Sequence, residues 1–136
     1  MKQIDKKGRK NKIGAWGEEI AANYLRQAGF IILDTNYLKK WGEIDIVARD
    51  TKKIRFVEVK TVSYETKEFL EKAILDKNWR PEENVHKHKL KRLHRVIESW
   101  LFEHNYDGDW QVDIMAVRIV PREKYATVKL LQNIII

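Results

Sequence analysis

Two short apolar runs that carry charges constrain this chain more than anything else in it. GEIDIVARD, from Gly42, and KIRFVEVK, ending at Lys60, meet around the polar Asp50-Thr51-Lys52-Lys53. Ile- and Val-rich runs bounded by turn residues predict two strands, most simply joined as a hairpin. Within them stand Glu43, Asp45, Glu58 and Lys60. Charged side chains are rarely buried unless they are paired or bind a metal. A fold that buries these strands must therefore account for the charges.

Strand side chains alternate between faces. Regular alternation puts Glu43, Asp45 and Val47 on one face and Ile44 and Ile46 on the other. On the next strand Phe56, Glu58 and Lys60 share a face, opposite Val57 and Val59. Asp45 and Glu58 are then expected on the same side of adjacent strands, with Lys60 one pleat further along. A plain alternative is a salt-bridge ladder across exposed strands. Such cross-strand pairs contribute only about 0.2–1 kcal/mol, which does not compel acids inside apolar strands.

A third carboxylate comes from upstream. A helix is expected from Ile13 to Ala28, with Ala21, Ala22 and Leu25 at helical spacing and Gly29 placed to end it. Glu18 shares their inward stripe, whereas Glu19 turns to the wet face. Taken alone, Glu18 reads better as an acid near a helix N-terminus, favoured by the macrodipole. Together with Asp45 and Glu58 it completes a set of hard oxygen donors suited to magnesium or manganese. Without metal such carboxylates repel and their pKa values rise. Lys60 beside the ion would act on a water and on charge developing at a phosphate. The pattern describes metal-assisted phosphodiester hydrolysis.

The rest of the chain supplies the setting. Its 136 residues suit one domain at 13–136 behind a flexible basic arm at 1–12. The absence of cysteine excludes disulfides, thiolate zinc sites and thiol nucleophiles. No apolar run reaches the roughly 20 residues that span a bilayer. The basic start lacks the apolar core of a secretory signal, so a cytoplasmic protein without a membrane partner is expected. The net charge of +7 concentrates in the arm and in HKHKLKRLHR, His86 to Arg95. Such clusters draw polyanions, nucleic acid above all, with anionic lipid or a merely solvated face as alternatives.

Further strands are expected at Phe30–Asn36, Trp110–Val120 and Tyr125–Gln132, and a loop at Tyr37–Trp41. A short helix fits Lys67–Leu75, and a longer one runs from an Asn84 cap to about His104. The order α-β-β-β-(α)-α-β-β predicts an α+β (α/β) architecture with a mixed central sheet of about five strands flanked by helices. The apolar Ile134-Ile135-Ile136 needs a partner surface, within the fold or on another subunit.

Secondary candidates carry less. Glu43 fits the strand entrance. Asp113, in the fourth strand, suits orienting Lys60 or pairing with a helix base. His86 and His88 are two apart and share no helical face, so they read as part of the basic patch. Trp41 and Trp79, in loops, are candidates to stack on bases. Trp100 follows the apolar stripe and reads as core.

These pieces resemble the YraN-like family, placed among restriction-endonuclease-like folds. The resemblance spans roughly Gly14 to Val117. It rests on Gly17, Glu18, Ala21 and Leu25, on Gly42 to Asp45 (GEID), on Phe56 to Lys60 (FVEVK), on Lys89, Arg92 and Leu93, and on Asp113. It is similar to the PD-(D/E)xK nuclease pattern, with Ile44 where a proline usually precedes the aspartate. The resemblance implies Asp45 and Glu58 as metal ligands, the Val59 carbonyl as a third, and Lys60 as the catalytic lysine. It implies Glu18 as an additional ligand or base, as in archaeal Holliday-junction resolvases, and suggests a homodimer on branched DNA. Lys87, Lys89, Lys91, Arg92, Lys39 and Lys40 are the expected phosphate contacts. The expected activity is a magnesium-dependent nuclease. The alternative is a non-catalytic nucleic-acid-binding adaptor in repair, recombination or uptake.

Overall fold

A computed structural model describes residues 6–76 and 87–134, and at 6–10 and 87–90 the backbone alone. Helix α1 (Lys6–Gln27) precedes strands β1 (Ile31–Lys39), β2 (Gly42–Arg49) and β3 (Ile54–Ser63). Helices α2 (Lys67–Asp76) and α3 (Lys87–Glu103) follow, then β4 (Trp110–Val120) and β5 (Tyr125–Leu131). The strands lie side by side in chain order, in one open five-stranded sheet. β1, β2 and β3 form an antiparallel meander, β3 and β4 run parallel, and β5 returns antiparallel. Parallel neighbours require a crossover, and the chain between β3 and β4, with α2 and α3, supplies it. The expected mixed sheet flanked by helices is what forms.

Each face of the sheet is covered. Ala21, Ala22 and Leu25 of α1 pack on Ile46, Ala48, Val57, Met115, Val117 and Ile119. Leu93, Val96, Ile97 and Trp100 of α3 pack on Ile44, Val47, Phe56 and Val112 across the sheet. β4, covered on both sides, is buried at nearly every position, which is why its sequence reads as a continuous apolar run. Among the described residues no helix is long and apolar enough to cross a membrane.

Several boundaries differ from expectation. α1 begins at Lys6, inside the stretch read as a flexible arm. β1 runs on through Tyr37 to Lys39, where a loop was expected. Tyr37 pairs with Ile44 and packs against the α3-side core, and that contact outweighs the polar residues around it. Gly29 does end α1. At φ 97° it donates its N–H to the Arg26 carbonyl while Phe30 N–H reaches Leu25, closing the helix with a paired cap. The Asn84 cap, Trp79, His86, Ile135 and Ile136 lie outside the described residues. Ile134 donates its N–H to Val112 at 2.7 Å and packs on the α3 side, so the start of the apolar tail has its partner within the fold.

Regular alternation would place Ile44 and Ile46 on one face, but Ile44 joins the α3-side core and Ile46 the α1-side core. The alternation breaks around Asp45, where β2 leaves β3.

Candidate active site at the fork of β2 and β3

β2 and β3 are paired only from Ile46↔Val57 to Arg49↔Ile54. Beyond that point β2 continues to Gly42 paired with β1, while β3 continues to Ser63 paired with β4. Asp45 stands where the strands part. Its Oδ2 accepts the Val59 N–H at 2.8 Å, so a side chain bonds a backbone group that the interrupted ladder leaves open. Glu58 is buried, 8 % exposed, and its Oε1 lies 3.5 Å from Lys60 Nζ.

Two glycines bring helices to this fork. A Cβ on Gly17 would overlap the Thr61 hydroxyl, so only glycine lets α1 lie this close to β3. That contact carries the neighbouring Glu18 over the fork, half-buried, while Glu19 is exposed as expected. On the other side Gly42, at φ 156°, leaves room for α3; a Cβ there would stand 2.8 Å from Val96 Cγ2. α3 thereby brings Arg92 and Leu93 to a cavity of about 320 Å³ lined also by Gly42, Glu43, Asp45 and Glu58.

The electrostatics follow from the crowding. Burial, then the charge of Glu58, push the Asp45 carboxyl up to about 8 against the pull of the Val59 N–H. Glu18 and Glu43 add smaller pushes in the same direction. The expected acids thus act on one another across the fork. Asn36 ties two of them: its Nδ2 donates to Glu18 Oε2 at 2.7 Å and to Glu43 Oε1 at 3.2 Å.

The donor set fits a hard divalent cation: carboxylate oxygens, with burial and then like-charge repulsion raising the Asp45 pKa. Asp45 and Glu58 would hold it, with Glu18 acting electrostatically on Asp45 from α1. In a strand the C=O and N–H of one residue point the same way, so the Val59 carbonyl also faces the fork. Yet among the described residues no three His, Asp or Glu side chains are already arranged to hold a metal ion. Glu18 is held by Asn36.

The basic candidates separate. Arg92 is exposed and lines both the carboxylate cavity and an adjoining hollow of about 570 Å³, which Lys39 and Lys40 also line. Lys40 and Lys91 are exposed. Lys39 is ion-paired to Glu103 and lies over the Tyr37 ring, which commits it to packing. Lys87 and Lys89 begin α3, but their side chains, like that of His88, lie outside the described residues. Trp41 is not an open stacking platform. Its Nε1 donates to Ser99 Oγ at 3.2 Å, and Arg95 covers its ring at 4.7 Å. Trp100 is core, as expected.

Asp113 does not serve Lys60. It is 1 % exposed and pairs with Arg55 Nη1 at 2.9 Å, while accepting from Gln111 and the Asn133 N–H. Arg55 also binds Asp50 and Gln132. This network ties the β2–β3 turn to the C-terminal segment. Sequence reasoning missed both Arg55 and Asn36. For Asn36 the available signal was its residue type, since asparagine is enriched at the positive φ it adopts, 50°.

Sheet and cleft together define an α+β protein with a carboxylate cluster at the fork of an open mixed sheet. Residues 17–117 match the model of the uncharacterised protein family UPF0102, and the chain belongs to that family. This is the YraN-like family that the GEID and FVEVK motifs resemble. The chain is similar to a UPF0102 protein of Nocardia farcinica, 37 % identical over 120 residues, covering 84 % of this chain and 82 % of that one. A UPF0102 protein of Desulfitobacterium hafniense is 34 % identical over 114 residues, 82 % and 84 % of the two chains. One of Campylobacter fetus is 31 % identical over 121 residues, 89 % and 91 %.

Proposed function

We propose that this protein is a magnesium- or manganese-dependent nuclease that hydrolyses DNA phosphodiester bonds, with branched or structured DNA as the first substrate class to test. One observation carries the reading. Asp45 stands half-buried against Glu58 at a strand fork, with Lys60 beside Glu58 and Arg92 on the cavity wall. Crowded, partly buried carboxylates cost stability, so a functional use is the better account of them.

When bound, the ion would supply Lewis acidity at the phosphate and a more acidic water. Asp45 and Glu58 would hold it, and Glu18 would be the additional ligand or base. Lys60 orients the attacking water and stabilises the negative charge that grows on the phosphate. Arg92 and Lys40 hold flanking phosphates, which gives affinity and salt dependence rather than sequence choice. A homodimer would match the two-fold symmetry of a four-way junction.

A second reading is favoured by the absence, among the described residues, of a ready-made three-carboxylate group. In it the same scaffold binds nucleic acid without cutting it, as an adaptor. Cleavage assays on linear, single-stranded and four-way DNA separate the two. The nuclease reading expects magnesium-dependent cleavage by the wild type that Lys60→Ala abolishes. Binding without cleavage selects the adaptor. Equal cleavage by both proteins points to a contaminant.

A further inference from the structure

Asn36 sits on the edge strand β1 between Thr35, which pairs with Ile46, and Tyr37, which pairs with Ile44. That register puts it across from Asp45. Its left-handed backbone, φ 50°, turns the side chain out of the regular pleat, a conformation asparagine tolerates better than most residues. An amide NH₂ carries two hydrogens, and here each carboxylate receives one. Glu18 arrives on α1 and Glu43 on β2, so one side chain ties the helix to the sheet at the mouth of the cavity. The bond to Glu18 is the shorter, and Glu18 is the less exposed of the two acids.

The chemical character of this bridge is informative. Lysine or arginine at this point would neutralise the acids and compete with a cation. A neutral amide orders both carboxylates while leaving their charges in place. It also offsets the repulsion that would otherwise drive Glu18 out to solvent.

We infer that Asn36 is a positioning residue for the carboxylate site, holding Glu18 where a divalent cation can recruit it. This rests on the cation-binding reading of the cleft. Partners that orient metal ligands typically change metal affinity by about 10–100-fold when removed. Asn36 is exposed, which places it at the lower end of that range.

The test is a Mn²⁺ titration of the full chain, followed by loss of the free-ion paramagnetic resonance signal. Asn36→Gly suits the positive φ and removes the whole side chain; the two hydrogen bonds lost are solvent-exposed, so the metal-free melting temperature falls little. Its Mn²⁺ affinity should fall about tenfold. Glu18→Gln should fall comparably, and the double variant should be no weaker than Glu18→Gln within about twofold, because Asn36 acts through Glu18. A merely structural role would lower stability and leave this non-additivity absent. Asn36→Ala, read the same way, covers the case in which glycine unfolds the strand. Wild-type affinity in both Asn36 variants, or losses that multiply in full, overturns the inference and leaves the cleft reading standing. A wild type that binds no Mn²⁺ overturns both.

Discussion

The Asp45 carboxylate accepts the Val59 backbone N–H at 2.8 Å, at the point where β2 and β3 stop pairing. The bond holds an acid against Glu58 and within the influence of Glu18 and Glu43, and its consequences can be measured.

The first concerns pH. Asp45 has an ordinary value of 3.8 but is pushed up to about 8 in the fold. Between those values the folded chain holds more protons than the unfolded chain. The contribution of this group to stability is therefore fully present below 3.8 and is lost as pH rises through about 8. Metal-free thermal melts from about pH 5 to pH 9 should show that decline. Asp45→Asn keeps an acceptor for the Val59 N–H but carries no charge. It should flatten the decline and raise the melting temperature at pH 9 by about 3 °C, corresponding to on the order of 1 kcal/mol. A variant that melts below the wild type at pH 9 would contradict this.

Gly17 is the second. Alanine there must push α1 away from Thr61. Urea denaturation should show a loss of about 1–3 kcal/mol, the usual cost of overpacking. Gly14→Ala, in the same helix with nothing within 4 Å of its Cβ, should be neutral or stabilising by a few tenths to about 1 kcal/mol. Equal effects at the two positions would deny the close approach.

Asp113 is the third. Alanine leaves the partly buried Arg55 guanidinium without its most buried partner, and the Asn133 N–H without its acceptor. Breaking a buried pair by removing one member costs about 3 kcal/mol. Chemical denaturation should register that loss, while Mn²⁺ binding by the folded protein stays unchanged. A selective loss of Mn²⁺ affinity would mean that Asp113 belongs to the cleft after all.

The basic wall gives the fourth. Each phosphate contact removed should lower the slope of log affinity against log salt by about 0.9 for duplex DNA. Arg92→Ala and Lys40→Ala should each show such a change. Lys39→Ala should show little, because Glu103 already holds that ammonium. Fluorescence anisotropy across a salt series reads all three, and an effect at Lys39 matching that at Arg92 would contradict the division.

Much of this arrangement was legible in residue order. The apolar runs around Asp50 marked β2 and β3, and the stripe Leu93, Val96, Ile97, Trp100 marked the buried face of α3. The Glu18 and Glu19 contrast came through because a helix of known period leaves little choice of face. What failed depended on contacts between distant segments. Tyr37 extends β1 because Ile44 and the α3-side core receive it. Ile44 and Ile46 part company because the β2–β3 ladder ends at Ile46↔Val57 and Ile44 lies beyond it, which no local periodicity records. Lys39 and Trp41 are engaged by Glu103, Ser99 and Arg95 of α3, contacts that their own loop-like stretch does not record. Residue type hinted at the Asn36 backbone, but not at its role, because its two partners are supplied by other elements.

A fork of acids that takes a divalent cation should bind it measurably. Calorimetric titration of Mn²⁺ at pH 7, in two buffers of different ionisation heat, tests it most directly. A carboxyl whose pKa is about 8 is mostly protonated at that pH, so binding should release close to one proton. The wild type should bind with that release, and Asp45→Asn should lose most of the affinity and the proton. No binding by the wild type, or unchanged binding and proton release in Asp45→Asn, would contradict the claim.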